Sequence, residues 1–190
     1  MEGEIMTGQV QADNRGGGQA SRIAVWGGAA ALMLAPAVAS RVTDEVAWDS
    51  ADFILFAAML ATACIAWELA MRRSKSLAYS AGAIAATGTA LLLFLVNGAV
   101  GFIGDEGDPV NLIFFGVLTL AAGGAIIVRF RAEGLARTMA VTAGAQVAAG
   151  ALGAAMVPDV RGFLLGTALF VPLWLLSSRL FARAAREEAA

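Results

Sequence analysis

The sequence has no histidine and a single cysteine among its 190 residues. The first absence removes histidine-ligated haem, the common zinc sites and imidazole acid–base chemistry. The second removes any intramolecular disulfide and any thiolate cluster. The one thiol, Cys64, lies inside a hydrophobic run and reads as a small buried apolar residue. Charge is also scarce: 15% of residues are charged, where soluble domains carry about a quarter. No phosphate-binding glycine loop, nucleophile elbow or metal-ligand spacing occurs. These absences point away from an enzyme, and no cofactor, metal or nucleic-acid partner is expected.

What the chain has in quantity is apolar sequence. It is 59% hydrophobic, with a mean hydropathy of +0.74. Its charges gather in short clusters between long uncharged stretches, the pattern of a polytopic helical membrane protein. The net charge of -2 says little, because a bilayer separates the two surfaces that carry it.

Residues 1–22 are polar and glycine-rich, without hydrophobic periodicity, and are expected to form a flexible cytoplasmic tail. Six apolar runs follow, at 23–40, 51–71, 77–103, 111–128, 135–157 and 163–180. A spanning helix needs about 20 residues, and all six runs qualify, the first being short. Backbone polar groups find no water in lipid, so each run must be helical. The expected fold is an all-α membrane protein. Six transmembrane helices form one bundle over residues 23–182, with 183–190 as a second cytoplasmic tail.

Orientation follows from lysine and arginine placement. Eleven basic residues flank the runs on one side: Arg15, Arg22, Arg72, Arg73, Lys75, Arg129, Arg131, Arg137, Arg179, Arg183 and Arg186. Only Arg41 and Arg161 fall on the other, among Asp44, Glu45, Asp49, Asp105, Glu106, Asp108 and Asp159. Both termini are therefore expected in the cytoplasm of a bacterium, with the chain in the inner membrane and the acidic loops outside. A competing reading makes Arg22, the apolar stretch to Ala35 and "PAVAS" a signal peptide with an A-x-A cleavage site at Ala37 and Ala39, leaving five helices and an outside N-terminus. The long, acidic, glycine-rich leader is unlike an n-region, so an uncleaved first helix is expected.

The outward loops repeat a pattern: "DSADFILF" at Asp49, "DPVNLIFF" at Asp108 and "DVRGFLLG" at Asp159. A duplicated helical hairpin would leave such a trace. The favoured and compatible explanation is capping, since Asp accepts bonds from free N–H groups at a helix start. Asp108 followed by Pro109 fits an N-cap with proline at the first helical position.

Few polar residues lie within the runs. Glu68 is the one acid well inside them, and intramembrane acids are functional suspects. Arg72, four residues later, offers it an interfacial ion pair on the same helix face. Asn97 sits near the outer end of the third run beside glycines, placed for a hydrogen bond between helices. Thr138, Thr142, Gln146, Gly150 and Ala154 form a polar-to-small stripe, expected to face the bundle interior rather than line a pore. Ala81, Ala85 and Thr89, with Gly82 and Ala86, supply small residues in the third run. Asp105, Glu106 and Asp108 lack the alternating ligand ladder of a calcium loop, and capping and orientation already account for them. Trp26 and Tyr79 fall near the cytoplasmic interface and Trp48 near the outer one, as belt anchors do. Trp67 and Trp174 lie deeper.

Four segments together resemble a group of small, uncharacterised inner-membrane proteins of alphaproteobacteria: "WDSADF" from Trp48, "WELAMRRS" from Trp67, "VNGAVGFIGDEGDPVN" from Val96 and "RFRAEGLAR" from Arg129. The outer turn of that group tends to read "GxExNPxN". Gly104, Glu106, Pro109 and Asn111 match it, and Asp108 replaces an amide. Leu95 and Ser80 stand where the group often has Trp and Arg. The resemblance brings no catalytic residues with it.

The functional expectation is a non-enzymatic integral membrane protein, a scaffold or accessory subunit. Its partners are the lipid bilayer and another membrane protein or a second copy of itself. The alternative is a small permease or channel for a cation or small solute. Glu68, Asn97 and Gln146 would line its path, and Asp105, Glu106 and Asp108 an acidic outer vestibule.

Overall fold

A computed structural model describes residues 22–38, 40–42, 49–99, 109–156 and 160–190. Among these residues the secondary structure is entirely helical. The helices are α1 (Arg22–Val42), α2 (Ser50–Arg73), α3 (Leu77–Ala99), α4 (Leu112–Ile127), α5 (Ala132–Met156) and α6 (Arg161–Ala189). A 3-10 turn, Pro109–Asn111, leads into α4. Six helices are long and apolar enough to cross a membrane.

The helix boundaries show what hydropathy alone misses. α2 begins at a reciprocal cap: Asp49 Oδ1 accepts from the N–H groups of Ala51 (2.7 Å) and Asp52 (3.0 Å), while Asp52 Oδ2 accepts from the N–H of Asp49 (2.9 Å). Two free donors of the helix start are thereby satisfied. The proposed Asp108 and Asp159 caps lie outside the described residues. Pro109 opens the 3-10 turn, and the α-helix proper starts at Leu112. A fixed φ and a missing N–H suit proline to such a first turn. α5 starts at Ala132, three residues before the apolar run, because "RAEGLAR" is itself a good helical segment. Glu133 sits in its first turn, where the helix dipole favours an acid, and pairs with Arg137 one turn on. α6 likewise runs past Leu180 to Ala189. The expected tail 183–190 is thus helical except for its last residue, and Arg183 Nε pairs with Glu187 Oε1 at 2.9 Å.

The chain divides into two compact units, Met1–Glu68 and Leu69–Ala190. Within the second unit, helices α3–α6 pack together. In the first unit, the Arg22 guanidinium of α1 lies 2.7 Å from Glu68 Oε1 of α2. Cys64 is buried.

In the second unit α6 packs against α3 and α5, and α4 packs against α5 and, more lightly, against α3. The buried face of α6 is Phe170, Trp174, Ser177, Phe181 and Ala184, alternating steps of four and three. That spacing keeps one stripe of a helix turned inward. Glycines set the closest approaches. A Cβ at Gly82 would lie 3.1 Å from the Phe181 ring, and one at Gly124 would lie 2.5 Å from Thr138 Cγ2. Two hydroxyls fasten α6 to its neighbours: Ser177 Oγ donates to the Gly82 carbonyl (2.9 Å) and Ser178 Oγ to the Ala136 carbonyl (2.7 Å). The outer faces are as apolar as the core, with Ile127 81%, Leu165 72% and Ile54 70% exposed.

At one end of the second unit the chain segments interlock. Ser76 Oγ accepts from the Tyr79 N–H (3.2 Å), capping α3, and donates to Glu187 Oε2 (2.7 Å). Ser74 Oγ donates to Glu188 Oε1 (3.0 Å). The turn between α4 and α5 places Arg129 and Phe130 in the left-handed region, with φ of 54° and 56°. L-residues pay about 1–2 kcal/mol each there. The turn offsets part of this with bonds from the Arg129 N–H to the Ile126 carbonyl (2.9 Å) and from the Phe130 N–H to the Ala125 carbonyl (3.0 Å). Tyr79 Oη adds a third, donating to the Phe130 carbonyl at 2.7 Å.

Candidate functional site

The stripe on α5 faces inward. Thr142, Gln146 and Gly150 are buried, with Thr138 and Ala154 half-buried at its ends. A helical threonine satisfies its hydroxyl on its own helix, four residues back. Thr138 Oγ1 donates to the Gly134 carbonyl (3.0 Å) and Thr142 Oγ1 to the Thr138 carbonyl (2.9 Å). Thr89 Oγ1 on α3 does the same with Ala85 (2.6 Å). Of the small residues in the third run, Gly82 and Thr89 are buried, while Ala81 is exposed.

Gln146 has no such recourse. It is fully buried, and among the described residues neither its amide nitrogen nor its amide oxygen has a protein partner. Among the same residues, Asn97 Oδ1, Thr167 Oγ1 and Trp174 Nε1 share that condition. Asn97 Nδ2 donates to the Asn111 carbonyl at 3.2 Å, tying α3 to the turn before α4. Each buried polar group left unpaired costs about 1–3 kcal/mol.

Register orders these groups along the bundle. The Ser177–Gly82 and Ser76–Glu187 bonds together set α6 antiparallel to α3, and the four-residue connection from α5 turns α6 back along it, with the Ser178–Ala136 bond marking the register. Ten residues from those anchors, Gln146 on α5 comes level with Thr167–Ala168 on α6 and with Leu92–Leu93 on α3. At about 1.5 Å per residue, Asn97 lies roughly 7 Å further towards the acidic-loop end, and Trp174 roughly 10 Å towards the basic end. Pro172 lacks the N–H that would bond the Ala168 carbonyl, so α6 is short of one backbone hydrogen bond at the Gln146 level. The unpartnered groups therefore lie at successive levels of one unit.

The other expected site residues are distributed differently. Glu68 belongs to the first unit, and the α1 residue Arg22 reaches it. The expected Arg72 pairing stands four residues away on the same helix, whereas no local pattern names Arg22. Asp105, Glu106 and Asp108 lie outside the described residues. Thr167 is the group that sequence reasoning passed over, and its signal is its place three residues before Phe170 on the buried stripe. Among the described residues no three His, Cys, Asp or Glu side chains come together as a metal site.

Glu187 lies about two helical turns beyond Leu180, outside the apolar run. Hydrogen bonds from Ser76 and Arg183 hold its carboxyl below the ordinary glutamate range. No protein-family model, curated protein or solved structure matches this chain.

Proposed function

We propose that the protein is a non-enzymatic, multi-pass subunit or scaffold of the bacterial inner membrane, with both termini in the cytoplasm. The outer faces support the membrane setting, since soluble monomers rarely expose contiguous apolar surface of this extent. The gathering of Arg73, Arg129, Arg131 and Arg137 around one cleft supports the orientation, because the positive-inside rule needs such residues on one side.

The observation that carries the subunit role is the outer face of α5. Ala140, Gly144 and Ala148 stand four residues apart, all exposed, and nothing lies within 4 Å of a Cβ at Gly144. Lipid chains pack against leucine as well as against glycine. A small-residue face is instead the surface on which a second helix approaches closely. The test is the mass of the assembly extracted from native membranes in mild detergent. The expected result is a mass above the monomer that Gly144→Leu reduces without lowering the melting temperature. A wild-type monomer, or a mass unmoved by Gly144→Leu, contradicts the proposal.

A second reading, passage of a cation or small polar solute, is favoured by the unpartnered buried groups of Asn97, Gln146, Thr167 and Trp174. Gln146→Leu separates the two. In a dry structural interior the substitution removes two orphaned groups and raises thermal stability. In an interior that holds a polar occupant it removes that occupant's partners and lowers stability. The subunit role predicts the rise.

A further inference from the structure

We propose that the basic cleft at the junction of the α2 end, the α4–α5 turn and the α6 end binds a phosphate-bearing anion, the headgroup of an acidic phospholipid. This rests on the membrane setting proposed above. The cleft encloses about 1020 Å³ and is lined by Arg73, Arg129, Arg131 and Arg137. Two carboxylates share it, Glu133 and Glu188. Glu133 is committed to Arg137, and Glu188 accepts the Ser74 hydroxyl. Among the described residues, Arg73, Arg129 and Arg131 have no carboxylate partner. Three guanidinium groups from two separate chain segments thus border one concavity, and such groups match phosphate oxygens in paired hydrogen bonds.

The backbone of the turn is closed on itself. The N–H groups of Arg129, Phe130 and Arg131 bond the carbonyls of Ile126, Ala125 and Val128. The anion is therefore held by side chains, and the strained turn serves to present them. Arg129 and Phe130 both keep left-handed backbone, and the Tyr79 hydroxyl pins the second of them. A turn held in this way sets two arginines on either side of an exposed aromatic ring.

The rim favours a lipid over free phosphate. Ile127 and Phe130, both lining the cleft beside the arginines, are 81% and 45% exposed. A charged floor with an apolar edge fits a molecule that is itself a phosphate joined to acyl chains. Basic pockets between helices on the cytoplasmic side take acidic headgroups in this way.

The test is the melting temperature of the full chain in nanodiscs of phosphatidylcholine, with and without phosphatidylglycerol, and in phosphatidylcholine with added inorganic phosphate. Wild type is expected to melt higher with phosphatidylglycerol. Arg129→Gln with Arg131→Gln should abolish that rise and weaken lipid affinity roughly 30-fold, from two surface cations at the usual worth of each. Lys75→Gln with Arg186→Gln removes as much charge from the same end outside the cleft and should keep most of the rise. Glu188→Gln should strengthen it. A rise with inorganic phosphate alone, lost in the same cleft variant, identifies the phosphate as sufficient and the acyl chains as dispensable. Equal losses in both double variants, or no response to either phosphate source, overturn the site. Melting of each variant in phosphatidylcholine alone separates loss of binding from loss of folding. Failure of the membrane setting would appear separately, as protein released from native membranes by alkaline carbonate.

Discussion

Gly124→Ala tests the closest helix contact in the α3–α6 bundle. A Cβ at this position would lie 2.5 Å from Thr138 Cγ2 and 3.3 Å from its Oγ1. Favourable carbon–carbon contacts begin near about 3.5 Å, so α4 and α5 must separate by roughly 1 Å or Thr138 must turn. Thr138 is β-branched and stiff, and its hydroxyl is bonded to the Gly134 carbonyl at 3.0 Å. Turning it forfeits a bond worth about 0.5–1.5 kcal/mol. Moving the helices instead brings an overpacking cost of about 1–3 kcal/mol. Alanine's better helix propensity offsets up to about 1 kcal/mol of either. With the full offset, helix movement leaves an expected net loss of up to about 2 kcal/mol, or up to roughly 8 °C for a chain of this length. Thermal unfolding in detergent measures it, with two companions. Gly144→Ala, where nothing lies within 4 Å, should melt no lower than wild type. The double variant Gly124→Ala with Thr138→Ala should recover at least half of the loss, because the obstructing methyl is gone. A Gly124→Ala protein that melts higher than wild type, or a loss with no recovery in the double variant, would refute the close approach.

Asp49→Ala should cost about 0.5–2 kcal/mol through loss of the α2 cap, while Asp49→Asn should keep most of that stability; unchanged melting in Asp49→Ala would remove the cap from the account. Tyr79→Phe should cost about 0.5–1.5 kcal/mol and increase proteolytic cleavage at the 129–131 turn, whose strain the hydroxyl helps to hold. Wild-type cleavage kinetics in that variant would mean the turn holds its shape without the tyrosine.

The six helices were legible because each is a long, mainly apolar run of the length a spanning helix needs. Their ends were less legible. "RAEGLAR" and "RAAREE" look like loop and tail to hydropathy, yet each carries a Glu–Arg pair four residues apart that supports a helix. Asp49 was readable as a cap because its chemistry is local to three residues. The inward stripe at Thr142, Gln146 and Gly150 followed from a four-residue repeat. Division into two units did not, since apolar residues facing lipid and facing protein have the same composition. The Arg22–Glu68 pair and the basic cleft join segments far apart in sequence, and no periodicity encodes them. The left-handed Arg129 and Phe130 carry no glycine or asparagine signal; the bond from Tyr79 that helps to hold them comes from another helix.

Cysteine accessibility in intact cells tests the membrane arrangement most directly. In a Cys64→Ser background, single cysteines at Lys75, Arg131 and Glu106 are treated with a membrane-impermeant maleimide before and after permeabilisation. The account predicts that position 106 reacts in intact cells, and that positions 75 and 131 react only once the membrane is opened. Reaction of position 106 only after permeabilisation, or of all three from the same side, would contradict it.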